Sequence, residues 1–398
     1  MQTQGKPNAI DLFCGCGGIS VGLRDAGFHI VAGIDIEKKY LISFKHNFPE
    51  SKALNTDITT VSPQEFMASV GLKPGELDLL VGGPPCQGFS KNVPRKNRFL
   101  EDPKNLLVKS FLDYGEALDP KMILMENVAE IKNGFDESYS DEIITRLETA
   151  GYTVTTAVLN AANYGVPQRR RRAFFLANRL GIKFDAPRAT HNRIAPSANI
   201  VDLFSYPSHV TVEEAIGDLP RLKHGTGAEL ATYASEPQSD YQRSLRGTQT
   251  QVRNHIARAL APTQFERLSS ILPGQGHKDL PEHLKTKGGY SGAYGRLTWD
   301  MIAPTITRWV FHPGSGRWGH PEDIRTLTIR EVARVQSFPD AYQFLGSYND
   351  QAGQLGNAVP PLLAATIVRS MCAQLLAVKN RVKSSQPTLL EGSLKAMA

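Results

Sequence analysis

Cysteine is scarce in this chain, with four in 398 residues: Cys14, Cys16, Cys86 and Cys372. So few thiols exclude a disulfide-stapled scaffold and point to a reducing compartment. No uninterrupted apolar run reaches the roughly 18 residues that span a bilayer. The opening MQTQGKPNAI lacks the apolar core of a secretion signal. Internal repeats are absent, and the histidines and cysteines do not fall at zinc-site spacings. Neither sign of charge dominates: the formal net charge of +6 permits a polyanionic partner without requiring one. What remains is the composition of a soluble globular protein, 41% hydrophobic and 21% charged. The length suits one large domain and a smaller one. A cytoplasmic or nuclear location is the default expectation.

From residue 9 to about 178 short apolar strands alternate with amphipathic segments. The pattern predicts strands at 9–13, 29–34, 77–81, 122–125, 153–159 and 173–177, with helices at 19–26, 40–47, 105–118 and 140–150. Repeated strand–helix units mean an α/β fold with a doubly wound, mostly parallel sheet. From about 179 to 325 the texture changes. Pro, Gly, Ser and Thr become common, and eight of the ten histidines lie there, so a second, smaller irregular domain is expected. Residues 329–338 and 360–376 again read as helices, and the polar stretch after Lys379 reads as a disordered tail.

Two strand ends carry the chemistry. The run Leu77-Asp78-Leu79-Leu80-Val81 leads into Gly82-Gly83-Pro84-Pro85-Cys86-Gln87-Gly88-Phe89-Ser90. A cysteine is thereby held on a stiff turn where open α/β sheets place ligands. A second predicted strand ends in Glu126-Asn127-Val128. Thiol and carboxyl together suggest a nucleophile with an acid partner. The turn Asp11-Leu12-Phe13-Cys14-Gly15-Cys16-Gly17-Gly18 joins the first strand to the first helix. Its glycine spacing is not the dinucleotide G-x-G-x-x-G. Asp35, about 20 residues on, is placed to hold ribose hydroxyls. Asp57 could accept from an adenine amino group.

In this order the residues resemble the C5-specific DNA cytosine methyltransferases that use S-adenosyl-L-methionine. DLFCGCGG, Asp35, Asp57-Ile58, GGPPCQGFS, Glu126-Asn127-Val128 and Gln168-Arg169-Arg170-Arg171-Arg172 are similar to successive family motifs. So are Arg325–Asp340 and Gly356-Asn357-Ala358-Val359-Pro360. Asp35 departs from the pattern, since the family more often has Glu; either carboxylate can bridge two hydroxyls. The resemblance implies a Rossmann-like methyltransferase fold with a smaller target-recognition domain. Its expected boundaries are 1–180 catalytic and cofactor-binding, 181–322 target-recognition, 323–378 returning to the catalytic domain, and 379–398 tail. It also implies that Phe13, Gly15, Gly17, Gly18, Asp35, Ile36, Asp57, Ile58, Pro84, Leu107, Asn357 and Val359 bind the cofactor.

By the same resemblance Cys86 adds to C6 of cytosine and Glu126 handles the proton at N3, with Asn127 bracing the Cys86 turn. Arg170 and Arg172, alternating on a predicted strand, share one face, and the resemblance places them as catalytic residues near the flipped base and Glu126; Arg169 and Arg171 face away. The partner is double-stranded DNA with its target base flipped out, at a cost of a few kcal/mol. Gln87, Ser90, Lys91, Arg95, Lys96, Arg98, Arg243, Arg246 and Arg253 are candidate DNA contacts. Base readout is expected from residues 277–290 and 308–318, with Arg308 and Arg317 as readers. A monomeric bacterial or phage enzyme is expected, paired by function with a restriction endonuclease. Rival readings are a transfer-RNA methyltransferase of the same fold, a non-catalytic DNA-binding relative and, weakest, a nicotinamide-linked oxidoreductase.

Overall fold

The computed structural model describes residues 5–85, 106–133, 138–191, 207–287 and 291–385. Seven strands form one sheet: β1 (Asn8–Leu12), β2 (His29–Asp35), β3 (Lys52–Asn55), β4 (Leu79–Gly82), β5 (Met122–Val128), β6 (Thr153–Asn160) and β7 (Arg171–Asn178). Their spatial order is β3-β2-β1-β4-β5-β7-β6, and β7 runs antiparallel to both neighbours. Helices α1 (Gly18–Asp25), α2 (Lys38–Asn47), α3 (Pro63–Val70), α4 (Leu106–Leu118), α5 (Glu130–Asn133) and α6 (Ser138–Thr149) follow the strands.

Alternation along the central strands sends side chains to two apolar layers. Ala9, Leu79, Val81, Met122 and Leu124 face one layer with α1 and α2. Ile10, Leu80, Ile123 and Met125 face the other with α3, α4 and α6. Helix starts are written locally. Ser62 and Glu65 form a reciprocal capping box on α3, with Pro63 in its first turn and Gly71 left-handed at its end.

The remaining chain forms α7 (Val212–Ile216), a hairpin of β8 (Gly227–Thr232) and β9 (Gln251–Ile256), α8 (Asp240–Arg246), α9 (Pro262–Ser269), α10 (Ile329–Val335), α11 (Tyr348–Asn357) and α12 (Pro361–Ser385). This smaller region is not a separate core. Val212, Ile216, Tyr241, Val252, Ile306 and Trp318 join the α1-side layer, and among the described residues only Ile271, Leu280, Ala293 and Tyr294 cluster apart. Buried arginines cement it. Arg334 pairs with Asp218 and Asp340, Arg325 with Glu331 and Asp323, and Arg330 donates to the carbonyls of Arg253, Pro339 and Tyr342.

α12 continues to Ser385, beyond Lys379 where the sequence reads as tail. Tyr348–Val378 is long and apolar enough to cross a membrane by composition. It comprises α11 and most of α12, and Leu363, Ile367, Val368 and Met371 are buried in the core. Gly22 makes the close approach: a Cβ there would fall 2.5 Å from the Pro361 carbonyl at the start of α12.

Candidate active site

The carboxyl ends of β1, β2, β4 and β5 line one edge of the sheet. The β1/β4 junction is where strand order reverses, the place where open α/β sheets form a ligand crevice. After β1 the chain turns sharply: Gly15 (φ +54) and Gly17 (φ +87) are left-handed, and so is Phe13 at φ 63, a costly conformation for an aromatic residue. The Gly15 N–H donates to Asp35 Oδ2 at 2.8 Å and the Glu37 N–H to Oδ1 at 2.8 Å. Burial pushes the Asp35 carboxyl up, and these two backbone bonds oppose it. Each oxygen retains acceptor capacity.

Ile36 stands at the end of β2, 63% exposed. The Asn55 amide fixes its backbone by donating to the Asp35 and Ile36 carbonyls at 3.0 and 2.9 Å. Asp57 Oδ1 accepts from the Thr59 N–H and hydroxyl at 2.9 and 2.7 Å, and Ile58 is buried beside it. Gly18 lies so close to the Val359 carbonyl that no Cβ fits. Asn357 is exposed at the end of α11, Leu107 is half-buried on α4, and Pro84 is buried.

Sequence reasoning gives Asp11 no role of its own. It is 1% exposed at the same strand end. Ser20 donates its hydroxyl to Oδ2 at 2.5 Å, while Oδ1 has no partner among the described residues. Burial pushes this carboxyl up to about 7. A buried acid at a ligand crevice is the signal that could have singled it out.

At the β4–β5 corner Glu126 is 9% exposed and accepts from Arg172 Nε at 2.9 Å. It lies inside β5, opposite Phe174 of β7, because the strand runs three residues past its expected end at 125. Gly83 supplies the space: a Cβ there would sit 3.0 Å from Glu126 Oε2. The Asn127 amide donates to the Pro84 carbonyl at 3.1 Å, tying β5 to the segment that leads to Cys86. Cys86, Gln87, Ser90, Lys91, Arg95, Lys96 and Arg98 lie outside the described residues.

One arginine expectation changes. Arg170 does not alternate with Arg172 on a strand, because β7 begins at Arg171. Arg170 is 2% exposed, and its guanidinium donates to the carbonyls of Ile306 (3.1 Å) and Gly356 (3.4 Å). Burial, then repulsion from Arg172, pushes it down from the usual arginine range, and Glu126 opposes this. Arg246, a candidate DNA contact, packs against the protein in this structure. It stacks on Tyr233, 3.9 Å from the ring centroid, and donates to the carbonyls of Ser235 and Gln249. Arg317 likewise turns inward, donating to the carbonyls of Gln275 at 2.7 Å and Arg296 at 2.9 Å.

Arg243 is exposed beside Asp240, Arg253 is half-buried, and Arg169 and Arg171 are exposed. Arg308 is exposed with its guanidinium over Trp309, itself 52% exposed. Within 277–290, His277 Nε2 is bonded to the Thr286 hydroxyl and N–H, and residues 288–290 lie outside the described set.

Sheet order and crevice together define a Rossmann-like methyltransferase core with a smaller recognition region. Residues 8–373 match the family model described as C-5 cytosine-specific DNA methylase. The type II methyltransferase M.AgeI of Thalassovita gelatinovora is 30% identical over 91% of this chain and 98% of its own length. M1.HphI of Haemophilus parahaemolyticus is 34% identical over 91% and 86%. Among solved structures, a DNA modification methyltransferase encoded within an E. coli prophage superposes with a TM-score of 0.73. It covers 93% of this chain and 100% of its own at 24% identity, a likeness of fold. The chain belongs to the C-5 cytosine-specific DNA methylases. It is a DNA (cytosine-5)-methyltransferase, with S-adenosylmethionine as donor and duplex DNA as substrate.

Proposed function

We propose that this enzyme methylates cytosine within one short duplex sequence, after turning the base out of the helix and joining Cys86 Sγ transiently to C6. The carrying observation is the Glu126–Arg172 pair at the end of β5, with Glu126 facing Gly83, which precedes Pro85-Cys86 by two residues in the chain. As the thiolate forms the S–C6 bond, electron density moves toward N3. Glu126 shares a proton with N3 there, and Arg172 holds its carboxyl oriented. General acid help of this kind is typically worth about 10²–10⁴-fold. Asn127 keeps the approach to Cys86 in place through Pro84.

The crevice fits the cofactor. Asp35, already anchored, is suited to ribose hydroxyls. The open face of Ile36 suits a flat apolar ring, and Asp57 with Ile58 suits an adenine edge. Phe13, Gly15, Gly17, Gly18, Pro84, Leu107, Asn357 and Val359 complete the surround. When bound, S-adenosylmethionine supplies the methyl group.

Arg308 and the rest of 308–318, with 277–290, are the base-reading candidates, and Arg243 a phosphate contact. Residues 1–180, 181–322 and 323–378 divide these roles. The named type II relatives support a place as the modification partner of a restriction endonuclease.

The test is to express the chain and sequence methylated cytosines in the host DNA. One recurrent site is expected, lost with Cys86→Ser while DNA binding persists. A 5-fluorocytosine duplex carrying that site should trap the wild type covalently. Near-normal methylation by Cys86→Ser overturns the mechanism.

A further inference from the structure

Residues 303–309 leave the core and reach the surface within a few positions. Ala303 and Ile306 are buried, whereas Thr307, Arg308 and Trp309 are exposed. The buried half is stitched to the four residues preceding β7. The Ala303 N–H donates to the Pro167 carbonyl at 3.0 Å, and the Arg169 N–H returns a bond to the Ala303 carbonyl at 2.9 Å. The Thr305 hydroxyl donates to the Arg169 carbonyl at 2.5 Å.

The Ile306 peptide is gripped at both ends by side chains two residues apart. Its N–H donates to Gln168 Oε1 at 2.8 Å, and its carbonyl accepts from Arg170 Nη1 at 3.1 Å. Neither gripping side chain is free to move. Gln168 also donates to Gln336 Oε1 at 2.8 Å, and Gln336 donates to the carbonyls of Leu355 and Ala358. Arg170 reaches the Gly356 carbonyl, and Gly356 packs so tightly on the Arg308 backbone that a Cβ there has no space.

Two residues beyond Arg170, Arg172 holds Glu126. A charged, buried donor spent on two carbonyls is expensive. Here it connects an exposed Arg–Trp pair to the catalytic carboxylate through a few residues.

We propose that Gln168, Arg170 and Thr305 are positioning residues that fix the Arg308-Trp309 tip relative to Glu126, so that correct DNA seating by the tip is what aligns the acid with the base. This rests on the reading of Arg308 as DNA-facing. It assigns Arg170 a role through Ile306 and Arg172, not contact with cytosine.

The experiment compares wild type with Thr305→Val, Gln168→Leu and Arg170→Lys. For each, the single-turnover rate is measured on DNA carrying the mapped site and on DNA with one flanking base altered. S-adenosylhomocysteine affinity and melting temperature are measured alongside. Thr305→Val removes one hydroxyl and little volume, so it keeps the test open should the larger changes fail to fold.

The expected result is a fall of about tenfold to a hundredfold on the mapped site. The rate on altered DNA and the S-adenosylhomocysteine affinity should hold, so that discrimination collapses. Arg170→Lys, which can still reach one carbonyl, should lose less than Gln168→Leu. Folded variants that lose rate equally on both DNAs, or that lose nothing, overturn the proposal. Arg308→Ala is the control: if it leaves discrimination intact, the DNA-facing reading itself fails. If it alters discrimination while Thr305→Val does not, only the positioning role fails.

Discussion

Replacing Asp11 by Asn should change how the stability of the ligand-free enzyme depends on pH. Asp11 is buried at the end of β1, with Ser20 on one oxygen and no partner for the other among the described residues. Burial, its largest influence, raises the carboxyl from 3.8 to about 7. The folded chain therefore holds this proton more tightly than the unfolded chain. Unfolding releases the proton, and rising pH favours unfolding between about 4 and 7, with no further effect above that.

A rise of that size corresponds to about 4 kcal/mol over the full window. Between pH 5.5 and 7 the wild type should lose on the order of 2 kcal/mol that Asp11→Asn keeps. Urea unfolding across pH 5.5–8.5 reads this as the difference between two curves. The slope of that difference is the decisive quantity, since the Asn amide adds a constant offset of its own. Parallel curves would refute the reasoning, and would mean that water or an unseen donor keeps Asp11 ionised in the fold.

Asp35→Ala should weaken S-adenosylhomocysteine binding by about 1.5–3 kcal/mol, the worth of hydrogen bonds to a charged group, read by calorimetry. Unchanged affinity would move the ribose contact elsewhere. Gly18→Ala should abolish that binding, because its Cβ would collide with the Val359 carbonyl, and a normally binding variant would show that this wall can retreat. Arg334→Met should cost about 3–5 kcal/mol in denaturant unfolding, since it strands Asp218 and Asp340 in the core. Adding Asp218→Asn should restore part of that loss, and purely additive losses would argue against the pair.

The strand ends, the glycine turn and the mostly parallel sheet are legible in the sequence because each is written in a few adjacent residues. β3 reads only as a short segment, since Lys52-Ala53-Leu54-Asn55 is brief, lies at the sheet edge and buries little. The apolar pattern does not announce α3 or α11, although the capping residues Ser62 with Glu65 and Ser347 with Asp350 mark their starts. α11 has few apolar residues. Gln354 helps hold it, donating to the carbonyls of Lys39 and Leu345. Arg172 beside Glu126 is legible through the resemblance, but the fate of the other arginines is not. Arg170 meets carbonyls 136 and 186 positions away, and Arg246 and Arg317 spend donors on backbone whose location only the fold reveals. A guanidinium in a sequence announces charge; whether it meets a phosphate or a carbonyl is decided by tertiary structure.

The tight contacts of the glycine turn carry a consequence for the order of synthesis. The turn after β1 leaves the ribosome well before the segments that wall it. Yet Tyr342 donates to the Cys16 carbonyl from 326 positions later, the Cys16 thiol lies 3.6 Å from the Gln354 carbonyl, and Gly18 and Gly22 rest on the backbone of Val359 and Pro361. A nascent chain thus carries the loop without its walls. A chain stalled or cleaved before α12 has no finished floor for a donor, so the ability to mark DNA waits for α12 to be made and does not build up gradually before it.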